Sequence, residues 1–241
     1  SSSFKDQGIV PVKLMSDTYY VGEKGDEIAD YSYNYKLPNL ASIIKSTTKF
    51  FYGVDMVEAS LANTTDAMTK SSSFKDQGTV AAKLMSDTFY VGEKGDEIAD
   101  YSYNYKHGVT IKSTSKFYYD DTFKEAKDAT TTDPMTKSSS FNGQGTTDPL
   151  KLMSDTYYVG EKGDEIADYS YNYKLGTLTI KSTSKFYYGA GMLEASDPLT
   201  TTTDAMTKSS SFKDQGTTDA SKLMSDTYYV GEKGDEIADY S

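Results

Sequence analysis

The chain is built from near-copies of one segment, and this limits its fold more than any other feature. Ser1 to Lys36 returns as Ser71 to Lys106, with changes only at Ile9/Thr79, Pro11/Ala81, Val12/Ala82 and Tyr19/Phe89, and it returns again from Ser138 and from Ser209. The run Lys-Leu-Met-Ser-Asp begins at Lys13, Lys83, Lys151 and Lys222, giving periods of 70, 68 and 71 residues by subtraction. A fixed period of this kind marks repeat architectures, in which each unit buries its apolar surface against its neighbours. The 241 residues divide into copies at 1–70, 71–137 and 138–208 and part of a fourth at 209–241. A fractional copy number fits an open array, as a ring must close on whole units, and it suggests a piece of a longer array.

Within a copy the pattern has period two, the mark of strands. Ile98 to Lys106 puts Tyr101, Tyr103 and Tyr105 on one face and Asp100, Ser102 and Asn104 on the other. His107-Gly108 reads as a two-residue turn into Val109–Tyr119, a hairpin in which Tyr105 would face Thr110, Asn104 would face Ile111 and Ile98 would face Phe117. A third strand is expected at Ser86–Val91, joined through the turn Gly92-Glu93-Lys94-Gly95, and a fourth at Met68–Phe74. Length differences between copies fall between Lys36 and Lys45, before the Lys-Leu-Met run, and after the Phe-Tyr-Tyr segment, where Thr, Asp, Pro and Gly mark loops. The expected fold is therefore all-β, with repeats of about 70 residues stacked as an elongated β-solenoid or an open β-sheet array.

Composition removes several functions. There is no Cys, hence no disulfide framework, thiolate metal site or cysteine nucleophile. All 25 basic residues are Lys, against 36 acidic ones, for a net charge of -11. Such a chain lacks the basic field and the planar guanidinium fork that nucleic acid requires. Apolar runs such as Phe50-Phe51-Tyr52 fall far short of the roughly 20 residues that span a bilayer as a helix. The single histidine, His107, has Leu37 and Leu175 as counterparts, so no site repeated in every copy depends on it. No triad or other catalytic set recurs, and an enzyme is not expected. Asn63-Thr64-Thr65 fits the N-glycosylation pattern in one copy.

The candidate site is a carboxylate cluster around a glycine turn. It comprises Asp17, Glu23, Asp26, Glu27 and Asp30 in the first copy, Asp87, Glu93, Asp96, Glu97 and Asp100 in the second, Asp155, Glu161, Asp164, Glu165 and Asp168 in the third, and Asp226 in the fourth. Closely spaced carboxylates and turn carbonyls are the oxygen donors a hard cation such as calcium takes, six to eight at a time. The plain alternative is a solvated, charged turn. Tyrosine stripes likewise suit packing between repeats, or stacking against sugar rings and adhesion to a surface.

Asp155-Thr156-Tyr157-Tyr158-Val159, followed by Gly163-Asp164-Glu165-Ile166 and Asp168, resembles the haemolysin-type calcium-binding (RTX) repeat proteins, as does Gly176-Thr177-Leu178-Thr179-Ile180-Lys181-Ser182-Thr183 with Phe186, Gly189 and Ala190. The resemblance covers roughly 40 residues of each copy. It implies an exported bacterial protein of stacked β-structure, often a surface or adhesive one, with Asp17, Asp87, Asp155 and Asp226 at the positions of the family's calcium-ligating Asp. The glycine-rich nonapeptides of that family are replaced here by Leu150-Lys151-Leu152-Met153-Ser154. The expectation is a non-enzymatic extracellular or cell-surface structural or adhesive protein that self-associates into a rod or filament. The alternative is a multivalent module binding calcium or a glycan at one weak site per copy.

Overall fold

The computed structural model describes residues 1–4, 14–36, 43–216, 219–234 and 236–241. Lys13 and residues 37–42 of the Lys36–Lys45 loop lie outside the described residues. Among the described residues the fold is all-β, 18 strands paired antiparallel in an open sheet, and the helical segments are 3-10 turns of three residues. Two compact units divide the chain, Ser1–Thr114 and Ser115–Ser241.

In the first unit the strands are β1 (Ser2–Phe4), β2 (Leu14–Val21), β3 (Ile28–Tyr35), β4 (Ile44–Tyr52), β5 (Val57–Glu58), β6 (Met68–Lys75), β7 (Leu84–Val91) and β8 (Ile98–Lys106), with the start of β9 (Thr110–Tyr119). The order of pairing is β1, β2, β3, β4, β6, β7, β8, and the short β5 covers the end of β4. The second unit holds the rest of β9 with β10 (Lys124–Glu125), β11 (Met135–Asn142), β12 (Leu152–Val159), β13 (Ile166–Tyr173), β14 (Ile180–Tyr188), β15 (Leu193–Glu194), β16 (Met206–Lys213), β17 (Leu223–Val230) and β18 (Ile237–Tyr240). There β11 to β14 pair in sequence, then β16, β17 and β18, and β15 covers the end of β14. Consecutive long strands pair with one another, so what the described residues show of the expectation is its all-β open sheet.

Alternation builds two unlike faces. One carries the row Tyr19, Tyr31, Lys49, Ser72, Asp87, Tyr103 across six strands. The other carries Thr18, Ser32, Thr48, Ser73, Ser86, Asn104 across the same strands, and its equivalent in the second unit is Ser138, Thr156, Ser170, Ser184, Ser211, Ser225. Apolar burial is local. Ile28, Tyr52 and Ala59 form one small core with Val21, Phe50, Ala62 and Met68 against them, and Ile166, Tyr188 and Ala195 form another with Val159, Phe186 and Met206. The Tyr52 and Tyr188 phenols donate to the Ala29 and Ala167 carbonyls at 2.6 Å, which satisfies the buried hydroxyls.

The strands expected at Ser86–Val91 and Met68–Phe74 are β7 and β6, one or two residues longer. The hairpin register differs from the expected one. The equivalent hairpins pair Asn34 with Ser46 and Asn172 with Ser182, and the Asn104 amide likewise donates to Ser113 Oγ at 3.4 Å, two residues on from the expected Ile111. The reason is the turn: β8 ends at Lys106 and β9 starts at Thr110, so three residues separate them, with His107 and Gly108 both left-handed at φ 53° and 74°. A slip of two residues keeps each side chain on its own face, so the Tyr face is the same in either register. A Cβ on Gly108 would lie 1.9 Å from the Ala81 carbonyl oxygen, and one on Gly92 (φ 121°) would lie 2.5 Å from that of Asp96, which is why both turns need glycine.

Candidate functional site

The sixteen carboxylates sort into separate environments. Asp17, Asp87, Asp155 and Asp226 sit within β2, β7, β12 and β17 on the tyrosine face, set there by their phase relative to Tyr19, Phe89, Tyr157 and Tyr228. Asp87 is 6% exposed, and three groups from neighbouring strands converge on it. Ser72 Oγ donates to Oδ1 at 2.5 Å, the Tyr105 phenol donates to Oδ2 at 2.9 Å, and the Lys70 ammonium stands 3.4 Å away. Asp155 repeats this with Ser139 at 2.5 Å, Tyr173 at 3.1 Å and Lys137 at 3.2 Å. Asp226 takes Ser210 at 2.6 Å and Lys208 at 3.0 Å, and Asp17 takes Ser2 at 2.5 Å and Tyr35 at 2.9 Å.

These contacts set the proton equilibria. Burial raises Asp226, but the Ser210 hydroxyl and the Lys208 ammonium outweigh it, so its carboxyl lies below the ordinary range. Burial, then the Asp17 carboxylate accepting its proton in a hydrogen bond, pushes the Tyr35 phenol up to about 12. The same causes raise Tyr105 beside Asp87.

Each lysine of this set lies between rings. Lys70 Nζ is 5.0 Å from the Phe51 centroid and 6.0 Å from that of Phe89, Lys137 is 5.2 Å from Tyr118 and 5.7 Å from Tyr157, and Lys208 is 5.2 Å from Tyr187 and 5.8 Å from Tyr228. Next to them run stacked aromatic pairs, Tyr19 with Tyr31 at 4.7 Å, Phe89 with Tyr101 at 4.6 Å, Tyr157 with Tyr169 at 4.7 Å and Tyr228 with Tyr240 at 4.7 Å. The lysines and serines of β6, β11 and β16 were missed in the sequence, although period two through Lys70, Ser72 and Phe74 marks them as one face.

The other acids stand apart from this set. Glu97 Oε1 accepts from the Met68 N–H at 2.9 Å and Oε2 from the Gly95 N–H at 3.0 Å, which fastens the turn to β6. Glu165 does the same for Met135 and Gly163, both at 3.0 Å, and Glu27 accepts from Gly25 at 2.9 Å. Glu236, absent from the candidate set, repeats the clamp on Met206 and Gly234. Glu23, Asp26, Glu93, Asp96, Glu161 and Asp164 are exposed in the turns. Asp30, Asp100 and Asp168 are the residues skipped by the strand pairing at a β-bulge. Asp168 thereby meets the ammonium of Lys185 at 2.9 Å, although Lys185 pairs with Tyr169 on the tyrosine face, the side opposite to the one simple alternation assigns to this position. Among the described residues, no three of His, Cys, Asp and Glu gather closely enough to hold a metal ion.

The repeated Asp is thus a cross-strand junction. In the second copy it ties β6, β7 and β8 through one carboxylate, with charge-assisted bonds stronger than neutral ones. No described helix is long and apolar enough to cross a membrane. The chain matches no family model and no curated protein.

Proposed function

We propose that this chain is a non-enzymatic structural or adhesive protein of the cell surface or extracellular space, working as an array of repeats that assembles into a rod or filament. The observation supporting this reading is the use made of the repeated Asp. Its oxygens, which are the groups best suited to a ligand, are taken up by Ser, Tyr and Lys from the adjoining strands. Repetition of that junction strengthens a sheet and adds no reactive group. An open sheet also presents edge N–H and C=O groups to which a further sheet can add.

The alternative, a multivalent module binding calcium or a glycan, draws on the exposed acids of each turn, such as Glu93 and Asp96. Calorimetric titration of the whole chain with calcium, with circular dichroism and electron microscopy before and after chelation, separates the two. The structural reading expects no stoichiometric calcium uptake, β-structure that survives chelation, and visible filaments. Uptake near one ion per copy with loss of β-structure on chelation would replace it with the calcium module, and a sample that never assembles would remove the filament.

A further inference from the structure

The second copy departs from its siblings in one loop. Where the others read Gly53-Val54-Asp55-Met56 and Gly189-Ala190-Gly191-Met192, it reads Asp120-Asp121-Thr122-Phe123. Asp120 takes the left-handed backbone of the glycines it replaces, φ 53° against 68° and 65°, a conformation that disfavours a side chain. It is held there by its own carboxylate, which accepts from the Thr122 N–H and hydroxyl at 2.6 Å each and pairs with Lys124 at 2.5 Å. The loop is fixed before any ligand arrives, and it projects Phe123, 45% exposed, over the tyrosine face.

Beneath Phe123 lies a groove of about 210 Å³. Its apolar walls are the stacked Tyr157 and Tyr169, with Phe123 edge-on to Tyr157 at 5.8 Å and 73°. Its polar groups are Asp121, Thr136 and Asp168. We propose that this groove binds one ring of a neutral polysaccharide, the C–H face against the tyrosine rings and the ring hydroxyls toward Asp121, Thr136 and Asp168. The groove's charges favour that class. Asp168 is balanced by Lys185, and the other carboxylate of the lining, Asp121, offers an anion nothing to pair with. A cation is disfavoured because the Lys137 ammonium already lies 5.9 Å from the Phe123 centroid and 5.7 Å from that of Tyr157. What remains is a ligand with apolar faces and hydroxyl donors at its rim, which an aromatic corner with a few fixed acceptors suits. The Lys185 ion pair at 2.9 Å holds one of those acceptors, Asp168, in place.

A sister groove of about 240 Å³ repeats the arrangement with Thr207, Tyr228, Asp239 and Tyr240, but Ala190 and Met192 replace the second carboxylate and the third ring. The inference names what the adhesive reading would hold and rests on that reading only for its setting. The test is calorimetric titration of the full chain with hexamers of β-1,4-linked glucose, N-acetylglucosamine and mannose. The positively charged glucosamine hexamer and the negatively charged galacturonate hexamer serve as controls. Phe123→Met and Asp121→Ala convert this groove into its sister, so the loop tolerates both, and circular dichroism checks that the sheet is unchanged. Saturable binding of a neutral hexamer, weakened about three- to tenfold by either substitution, is expected. The proposal is overturned by the absence of binding to all three neutral hexamers, by preference for a charged control, or by affinities that ignore both substitutions. Filament formation is scored separately by microscopy, so loss of one conclusion leaves the other testable.

Discussion

The two faces of the sheet are made from the same strands and are held by different physics. On the tyrosine face the side chains are long and reach across strands, placing a lysine between two rings and a carboxylate beneath three partners. Along the middle of the hydroxyl face they are short and touch only the next strand, as where the Thr18 hydroxyl donates to Ser32 Oγ at 3.2 Å and Thr88 and Thr156 donate to Ser102 and Ser170 at 3.1 Å. The rings and lysine stems of one face supply apolar contact along its whole row, whereas the other face keeps its hydroxyls paired within the plane and adds apolar contact only where Phe50 and Phe186 join the small cores.

Alkali should break the comparison most completely. Tyr35 and Tyr157 carry phenols pushed up to about 12 by burial first and then by the neighbouring Asp17 and Asp155 carboxylates. A phenol whose folded pKa is raised contributes stability that is fully present below about pH 10 and lost as pH rises through the folded value. Lys208 adds in the same sense, since pairing with Asp226 outweighs the lowering by burial and raises it above the usual ammonium range. The sheet is therefore expected to unfold cooperatively between about pH 10 and pH 12. Circular dichroism against pH checks this, and a sheet intact at pH 12 would mean that these phenols titrate without strain.

Asp87→Ala is next in size. It strands the Lys70 ammonium, Ser72 and Tyr105 together, and about 3 kcal/mol of unfolding free energy should go, read from urea denaturation of the variant against the parent. The smallest change belongs to the other face. Thr156→Ala with Ser170→Ala removes both partners of a hydroxyl bond at once, so no donor is left unsatisfied, and the loss should stay below about 1 kcal/mol in the same measurement. If the hydroxyl pair proved as costly as Asp87, the division of labour between the faces would be wrong.

Much of this was legible in the residues. Tyr101, Tyr103 and Tyr105 alternate with Ser102 and Asn104, and alternation alone assigns strand and face. It does not say which residue lies opposite. That depends on how many residues the His107–Val109 turn takes and on where each pair bulges, both decided by local backbone energy. Asp168 shows the cost of that gap: as the counterpart of Asp100, which alternation puts on the opposite face, it is carried to Lys185 by the bulge. The carboxylates of the candidate site were near in sequence yet separate in space. Period two sends Asp155 to a junction between strands, while Glu165 folds back on its own turn.

The identity of the strands has a consequence for how the molecule reaches this state. β6 and β16 carry the same eight residues, Met-Thr-Lys-Ser-Ser-Ser-Phe-Lys, so β4 or β14 would find the same contacts on either. The correct choice is favoured only by the shorter loop, and each doubling of loop length costs just about 0.6 kcal/mol. Refolding from denaturant is therefore open to exchange of strands between copies, within one chain and between two, whereas synthesis from the N-terminus offers each strand its proper neighbour first.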